Sequence, residues 1–349
     1  MEKTRIAMIV NSNIYSGLEK VVSEIMIELR DKYEFIYVTK DGPVVERYEE
    51  LGLNYYLINK VSVKEIKRFI NKWKPDIIHA HDFTASTIVS ICGFKNFISH
   101  LHNNPLWLNK ICINSFAYLY FGFRAKKILI VSDSVKREFI FQKFISKKFE
   151  NINNPISVKD VRSNLFKGKS IKYDICCVGR VTTQKNPLRF LSILERIREK
   201  LPGVKACWVG DGELLDECEK FIKDHGLENT VYFLGYKKNP YEVMNQSKIF
   251  MLTSAWEGFG LVAFESLCLG VPCIVSNVGG LSNIVDNSCG YLCKNDLDFI
   301  NAAQELLLNE TLYTRMSVSA EDRAKDLDNK DNYMRRIANI YEELLEEKQ

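Results

Sequence analysis

Apolar residues in the first half of the chain gather in short continuous runs, at 6–10, 35–38, 55–58, 77–81, 97–102 and 127–131, instead of alternating with polar ones. Strands of that kind are buried on both faces. The stretches between them repeat apolar positions at helical spacing, so the pattern predicts a parallel sheet with helices on either side, a doubly wound α/β domain. Around 153–172 the rhythm gives way to polar and basic residues with Pro155 and Gly168, which marks a linker. It resumes with runs at 175–178, 206–209, 231–234, 249–252 and 273–275, and the chain finishes in helical patterns near 298–308, 311–326 and 332–347. Two α/β domains in succession are therefore expected, with ligands in a cleft between facing carboxyl ends of their strands.

The run Glu257-Gly258-Phe259-Gly260-Leu261-Val262-Ala263-Phe264-Glu265 falls where strand 249–252 should turn into an apolar helix over 261–269, closed by Gly270 and Pro272. Such a turn exposes backbone N–H groups at the positive end of a helix dipole, which suits phosphate, and Gly258 and Gly260 let a ligand approach the main chain closely. Glu265 sits in a helix that is apolar on nearly every side and so should be buried. An unpaired carboxylate there would cost several kcal/mol, so it needs a cation or a set of hydroxyl donors. A structural arginine or a ribose diol would each satisfy it.

Length agrees with two domains, since 349 residues exceed the roughly 250 at which single cores stop growing. With 46% hydrophobic and 26% charged residues the composition is that of an ordinary globular protein, and a net charge of +4 is too weak to argue for nucleic acid as a partner. The ten cysteines fall in apolar runs such as Cys176-Cys177, Cys207, Cys268 and Cys273, make no C-x-x-C pair, and read as buried, reduced thiols. The N-terminus enters its first strand without a signal-peptide apolar region, and no apolar run reaches the ~18 residues of a membrane span. A cytoplasmic protein is expected.

Candidate chemistry collects at strand ends. Val178-Gly179-Arg180 closes the first strand of the second domain and Lys185-Asn186-Pro187 opens the next helix. Arg180 and Lys185 beside the glycine turn would make a diphosphate site that needs no metal; the alternative is two solvated cations. Gly17, before a helix starting near Leu18, could bring a second backbone surface to the same phosphates or be a plain turn. Asp211 in Gly210-Asp211-Gly212 and the Gly235-Tyr236 turn could line a nucleotide base pocket or be tight turns. Four of the five histidines form His79-x-His81 and His100-x-His102, each pair on one face of a strand. Zinc ligation, which would point to a metallohydrolase, core histidines, and one histidine acting on substrate are the three readings. Carboxylate ligands and a general base for the first have no obvious source nearby.

With Gly179-Arg180, Lys185-Asn186, Gly210-Asp211-Gly212 and the paired glutamates in this order, the chain resembles the family 4 retaining glycosyltransferases of GT-B fold, bacterial surface-polysaccharide type. The likeness runs nearly residue for residue through 253–280 and extends, more loosely, to Pro75-Asp76-Ile77-Ile78-His79-Ala80-His81-Asp82. It implies two Rossmann-like domains facing a cleft, residues 1–160 on the acceptor side and 161–349 on the donor side, with the last helix free to pack back on the first domain. It implies transfer of a sugar from a nucleotide-diphosphate sugar, UDP-sugar favoured, to a glycan or lipid-linked acceptor, with retention and with no metal or other cofactor. Carried over, Arg180 and Lys185 hold the diphosphate and stabilise it as it leaves, and Glu265 accepts from the ribose hydroxyls. Gly17 and the backbone at Phe259, Gly260 and Leu261 complete the phosphate cradle, Glu257 contacts the donor sugar, and His81 lies beside the anomeric centre. No protein general base is named.

Two departures concern the sugar contacts. The family's Gly-Gly-x-x-Glu is here Gly279-Gly280-Leu281-Ser282-Asn283, and its paired N-terminal glycines are Ser16-Gly17. Acceptor choice should rest on the first domain, from the loop after Val10 to His102-Asn103-Asn104-Pro105-Leu106-Trp107. Between 136 and 148, Lys136, Arg137, Lys143, Lys147 and Lys148 interleave with Phe139, Phe141 and Phe144; the two readings are a helix resting peripherally on an anionic inner membrane and one packed on the sheet. The rival functions are a non-catalytic sugar-nucleotide binding protein, a GT-B-like epimerase or phosphorylase, and the histidine-ligated metallohydrolase.

Overall fold

A computed structural model describes residues 3–105, 107–165 and 170–347; Leu106 of the acceptor-side stretch and Gly168 of the predicted linker lie outside them. The chain divides into two units, Met1–Pro155 with Asn329–Gln349, and Ile156–Asp328.

Unit 1 carries β1 (Thr4–Ile9), β2 (Tyr33–Thr39), β3 (Tyr55–Leu57), β4 (Ile77–Ala80), β5 (Phe97–Leu101), β6 (Lys127–Ile130) and β7 (Phe149–Asn151). They form one parallel sheet in the order β3-β2-β1-β4-β5-β6-β7. Every residue of β4 and β5 is buried, as expected of strands covered on both faces. The helices between them start where the chain offers caps. Ser62 accepts from the Glu65 N–H at the head of Val63–Trp73 (3.4 Å), and Asp82 accepts from the Ala85 N–H at the head of Phe83–Ile91 (2.8 Å). The C-terminal helix Lys330–Glu346 also belongs to this unit. It buries Tyr341, whose ring meets Tyr33 edge to face at 5.4 Å and whose hydroxyl reaches His79 Nδ1 at 2.8 Å.

Unit 2 carries β8 (Tyr173–Val178), β9 (Ala206–Val209), β10 (Val231–Phe233), β11 (Ser247–Leu252), β12 (Cys273–Ser276) and β13 (Gly290–Cys293), parallel and ordered β10-β9-β8-β11-β12-β13. Its largest fully buried side chain is Trp208, set edge to face on Phe190 at 5.3 Å. Full burial of one large apolar side chain contributes about 1.5–3 kcal/mol.

Three sequence expectations are corrected. The edge strands β7 and β13 had no counterpart among the predicted runs. The predicted linker is not wholly irregular: Val158–Arg162 is a helix capped by Ser157, and Arg162 Nε donates to the Cys268 carbonyl at 2.9 Å, which ties it to unit 2. Residues 136–148 are not one amphipathic helix. They split into Asp133–Glu138 and Gln142–Ile145 because Phe139 leaves the helical line to pack on Tyr118, 4.3 Å between centroids. All ten cysteines are free, eight of them buried and Cys92 and Cys112 half-buried.

Candidate functional site

Open parallel sheets bind ligands outside the carboxyl ends of their strands, where the strand order reverses. In unit 2 that reversal lies between β8 and β11, and the candidate residues leave those two strands: Gly179, Arg180 and Lys185 after β8, Glu257 to Leu261 after β11. The loops are laced together. The Ala255 N–H donates to the Gln184 carbonyl (2.8 Å), Gln184 Nε2 to the Trp256 carbonyl (3.2 Å), and the Thr253 hydroxyl lies 3.2 and 3.1 Å from the Lys185 and Asn186 carbonyls. From below, Trp208 Nε1 donates to the Gly179 carbonyl at 2.8 Å. Gly210 lies so close that a Cβ there would stand 2.0 Å from the same oxygen. Gly210-Asp211-Gly212 therefore has a packing role, backing the Gly179 turn. The Gly210 N–H in turn donates to the Gly235 carbonyl (2.9 Å), and the neighbouring Tyr236 ring is exposed.

Lys185 bends over Gly179 and forms an ion pair with Glu257; their side chains are only 14% and 7% exposed. Ser254 Oγ donates to the same carboxylate oxygen at 3.0 Å. A buried pair of this kind tolerates the loss of neither partner, because the survivor is left as an uncompensated charge. Arg180 is the opposite case. It is exposed, and its side chain makes no hydrogen bond or ion pair among the described residues.

Gly260, at φ 96°, is the N-cap of helix Leu261–Cys268 and supplies no side-chain cap. The first N–H groups of a helix have no partner within it, so this end can receive an anion. One turn on, Glu265 is 7% exposed and accepts from the Tyr241 hydroxyl at 3.1 Å. The hydroxyl donor demanded by its burial thus comes in part from the chain itself.

In unit 1 the strand order reverses between β1 and β4, and Gly17 and His81 follow those strands. Gly17 opens helix Gly17–Leu29 behind a capping box in which the buried Glu19 accepts from the Ser16 N–H (2.9 Å) and Ser16 hydroxyl (2.6 Å). The Asn11 N–H donates to Asp82 at 2.6 Å, joining the two loops. His81 is fully buried; its Nδ1 lies 3.2 Å from His102 Nε2, and its ring stacks on His79 with 4.0 Å between centroids.

Nitrogens of His79, His81 and His100 lie within 4.8 Å of one another. A ligating lone pair lies in the ring plane, and the His79 ring is inclined by only 28° to His81 and 10° to His100. The His81 and His100 rings are inclined by 35° to each other, so the three planes are not all parallel. Burial holds these imidazoles neutral, pulling His79 and His102 down to about 3 and His81 and His100 well below their ordinary value. Folded-state values below the unfolded one give a definite sign. The stability is fully present above about pH 6.5 and is lost as pH falls toward 3, because the unfolded chain takes up protons that the buried rings refuse, up to about 1.4 kcal/mol per pH unit for each ring. The urea midpoint of the protein should therefore fall between pH 7 and pH 5, opposed in part by Glu19 and Asp82, whose carboxyls burial pushes up. A midpoint that stays level would contradict neutral burial.

Residues 161–323 match the model for "Glycosyl transferases group 1" and residues 15–160 that for "Glycosyltransferase Family 4". A curated relative from Escherichia coli, UDP-Gal:alpha-D-GlcNAc-diphosphoundecaprenol alpha-1,3-galactosyltransferase, is 25% identical over 336 residues, covering 86% of this chain and 87% of its own. An uncharacterized glycosyltransferase from Methanocaldococcus jannaschii is 29% identical over 240 residues, 60% of this chain and 57% of that one, so the match spans little more than half of that relative. Among solved structures, Anabaena Alr3699/HepE in complex with UDP and glucose superposes with a TM-score of 0.84 over 97% of this chain and 99% of its own, at 19% identity. Both sheets thus have the GT-B architecture. The chain belongs to the family 4 glycosyltransferases. Among the described residues, no helix is long and apolar enough to cross a membrane.

The sequence reading missed three side chains that shape these loops. Tyr241 and Tyr341 reach Glu265 and His79 from far along the chain, where spacing carries no signal. Glu19 was legible, since Ser16-x-x-Glu19 before an apolar helix is a capping-box pattern.

Proposed function

We propose that this protein is a retaining, metal-independent glycosyltransferase that moves a sugar from a UDP-sugar to a lipid-linked acceptor in surface-polysaccharide synthesis. The observation that carries the donor half is the lacing of the two loops at the β8/β11 reversal, which sets Lys185, Arg180 and the Gly260 helix end around one strand junction. The E. coli relative uses UDP-Gal and a diphosphoundecaprenol-linked sugar by its name, and Alr3699/HepE was solved with UDP and glucose. These two supply the base and the acceptor class.

In this reading the bond from the anomeric carbon to the β-phosphate oxygen breaks as the acceptor hydroxyl attacks on the same face, and the departing phosphate takes the hydroxyl proton. Negative charge grows on the leaving diphosphate, where Arg180, Lys185 and the first N–H groups after Gly260 stabilise it. Gly17 adds backbone to the phosphate cradle, Glu257 bears on the donor sugar while holding Lys185, and Gly235 and Tyr236 border the base. His81, kept neutral, can act there only as a hydrogen-bonding group. The protein then works on the cytoplasmic side, in peripheral contact with the membrane that carries its acceptor.

A thermal-shift screen of UDP, GDP, ADP and their sugars tests the donor, because a ligand that binds the native state raises its apparent stability. UDP compounds should give the largest shift. Glu265→Ala should weaken UDP binding about tenfold or more while leaving the maximal rate nearer to normal, since it removes a ground-state contact. Transfer should persist with chelator present, and the product should keep the donor's anomeric configuration by NMR. An inverted product would overturn the retaining assignment.

A further inference from the structure

Helix Ile113–Arg124 is apolar on the side it buries and on the side it shows. Inward, Tyr118 packs on Phe139 and Phe121, with centroids 4.3 and 4.8 Å apart. Outward, Ile113 (86% exposed), Phe116 (55%), Tyr120 (48%) and Phe123 (54%) succeed one another at spacings of three, four and three, which is a single stripe along a helix. The stripe continues from Phe116 to Phe141, 5.1 Å between centroids, and on to Phe144, which is 67% exposed. Single exposed apolar residues are ordinary on a protein surface, but a contiguous aromatic patch of this kind marks an interaction site.

Charge selects the occupant. Residues 110–148 contain nine lysines and arginines against Asp133 and Glu138, a net +7, whereas the whole chain has +4, so everything outside this segment sums to −3. The cations border the stripe. Arg124 lies over the Tyr120 ring at 5.7 Å, Lys148 donates to the Phe123 and Ala125 carbonyls at the end of the helix, and Lys143 and Lys147 stand exposed on either side of Phe144 in sequence. Aromatic and aliphatic side chains projecting from a strongly basic surround match the two layers of an anionic bilayer surface, acyl boundary and phosphate headgroups.

We infer that the exposed face of Ile113–Arg124, with Phe144, docks unit 1 on an anionic phospholipid bilayer. This rests on the lipid-linked acceptor reading and names the surface that brings the protein to it. It also extends the membrane contact beyond residues 136–148, where Phe139 is buried and Phe144 exposed, to the preceding helix Ile113–Arg124.

The test is flotation of the full chain with vesicles of phosphatidylglycerol and phosphatidylcholine, and with phosphatidylcholine alone. Binding to the anionic vesicles at low salt is expected, weakened at least tenfold on neutral vesicles, at least tenfold by Phe116→Glu with Phe123→Glu, and severalfold by Lys143→Ala with Lys147→Ala. Failure of the unmodified chain to float, or undiminished flotation of the phenylalanine variant, would overturn the inference. So would a light-scattering mass for a dimer that this variant dissolves, which would give the face to a second copy. The UDP thermal shift is read on every variant. If it is retained while flotation is lost, the docking surface is supported; if it is absent throughout while flotation persists, the transferase reading falls and the docking surface stands.

Discussion

Replacing Arg180 or Lys185 by alanine is expected to lower the transfer rate by about 10²-fold or more, the usual consequence of removing one preorganised group from a site of developing charge. The two losses should differ in everything else. Arg180 is exposed and without a protein partner among the described residues, so Arg180→Ala should leave stability within about 0.5 kcal/mol of the parent. Its rate defect is then a direct measure of its work on the diphosphate, and Arg180→Lys should recover only part of it, because an ammonium cannot form two parallel hydrogen bonds to phosphate. Lys185→Ala strands the buried Glu257 carboxylate and should cost about 3–5 kcal/mol of stability as well. Adding Glu257→Ala should return much of the stability and none of the rate. Initial rates with the UDP-sugar found by thermal shift, together with denaturant midpoints, decide the matter; full turnover in both single variants would remove leaving-group stabilisation from the mechanism.

Sequence made the parallel sheets legible because most of their strands are continuous apolar runs, and it lost β7 and β13 although it found the other two edge strands, β3 and β10. β7 is the three residues Phe149-Glu150-Asn151, and β13 begins on a glycine; neither has the apolar length that marks a strand covered on both faces. At the candidate site, local chemistry was readable and tertiary pairing was not. A glycine turn before an apolar helix announces an anion-binding end, and a glutamate inside that helix announces a need for donors. Nothing within a few residues of Glu265 names Tyr241 as one of them, and the partner of Lys185 lies 72 residues away at Glu257. The 136–148 segment misled for a related reason. Its aromatic residues interleave with cations in sequence, yet the chain bends so that Phe139 enters the core against Tyr118 and Phe144 stays outside.

Gly279→Ala should be the most damaging single-methyl change in unit 2. Gly279 has φ 56°, and a Cβ added there would stand 1.7 Å from the Glu257 carbonyl oxygen and 2.7 Å from its carbon. Those are backbone atoms, so no side-chain rotation relieves the clash and the 257–260 loop must move. A left-handed conformation costs a non-glycine residue about 1–2 kcal/mol, and overpacking adds about 1–3, a large share of the stability of a typical domain. Displacing Glu257 also carries Lys185 with it and shifts Gly260 at the head of its helix, so loss of UDP binding should accompany loss of stability. Gly226→Ala is the control. Its φ is 61° but nothing lies within 4 Å of an added Cβ, so it should show the conformational cost alone and keep the UDP-induced shift. Melting curves of both variants with and without UDP make the comparison. If Gly279→Ala melts and responds to UDP as Gly226→Ala does, the loop does not depend on that backbone contact, and the coupling drawn from Gly279 through Glu257 to Lys185 is wrong.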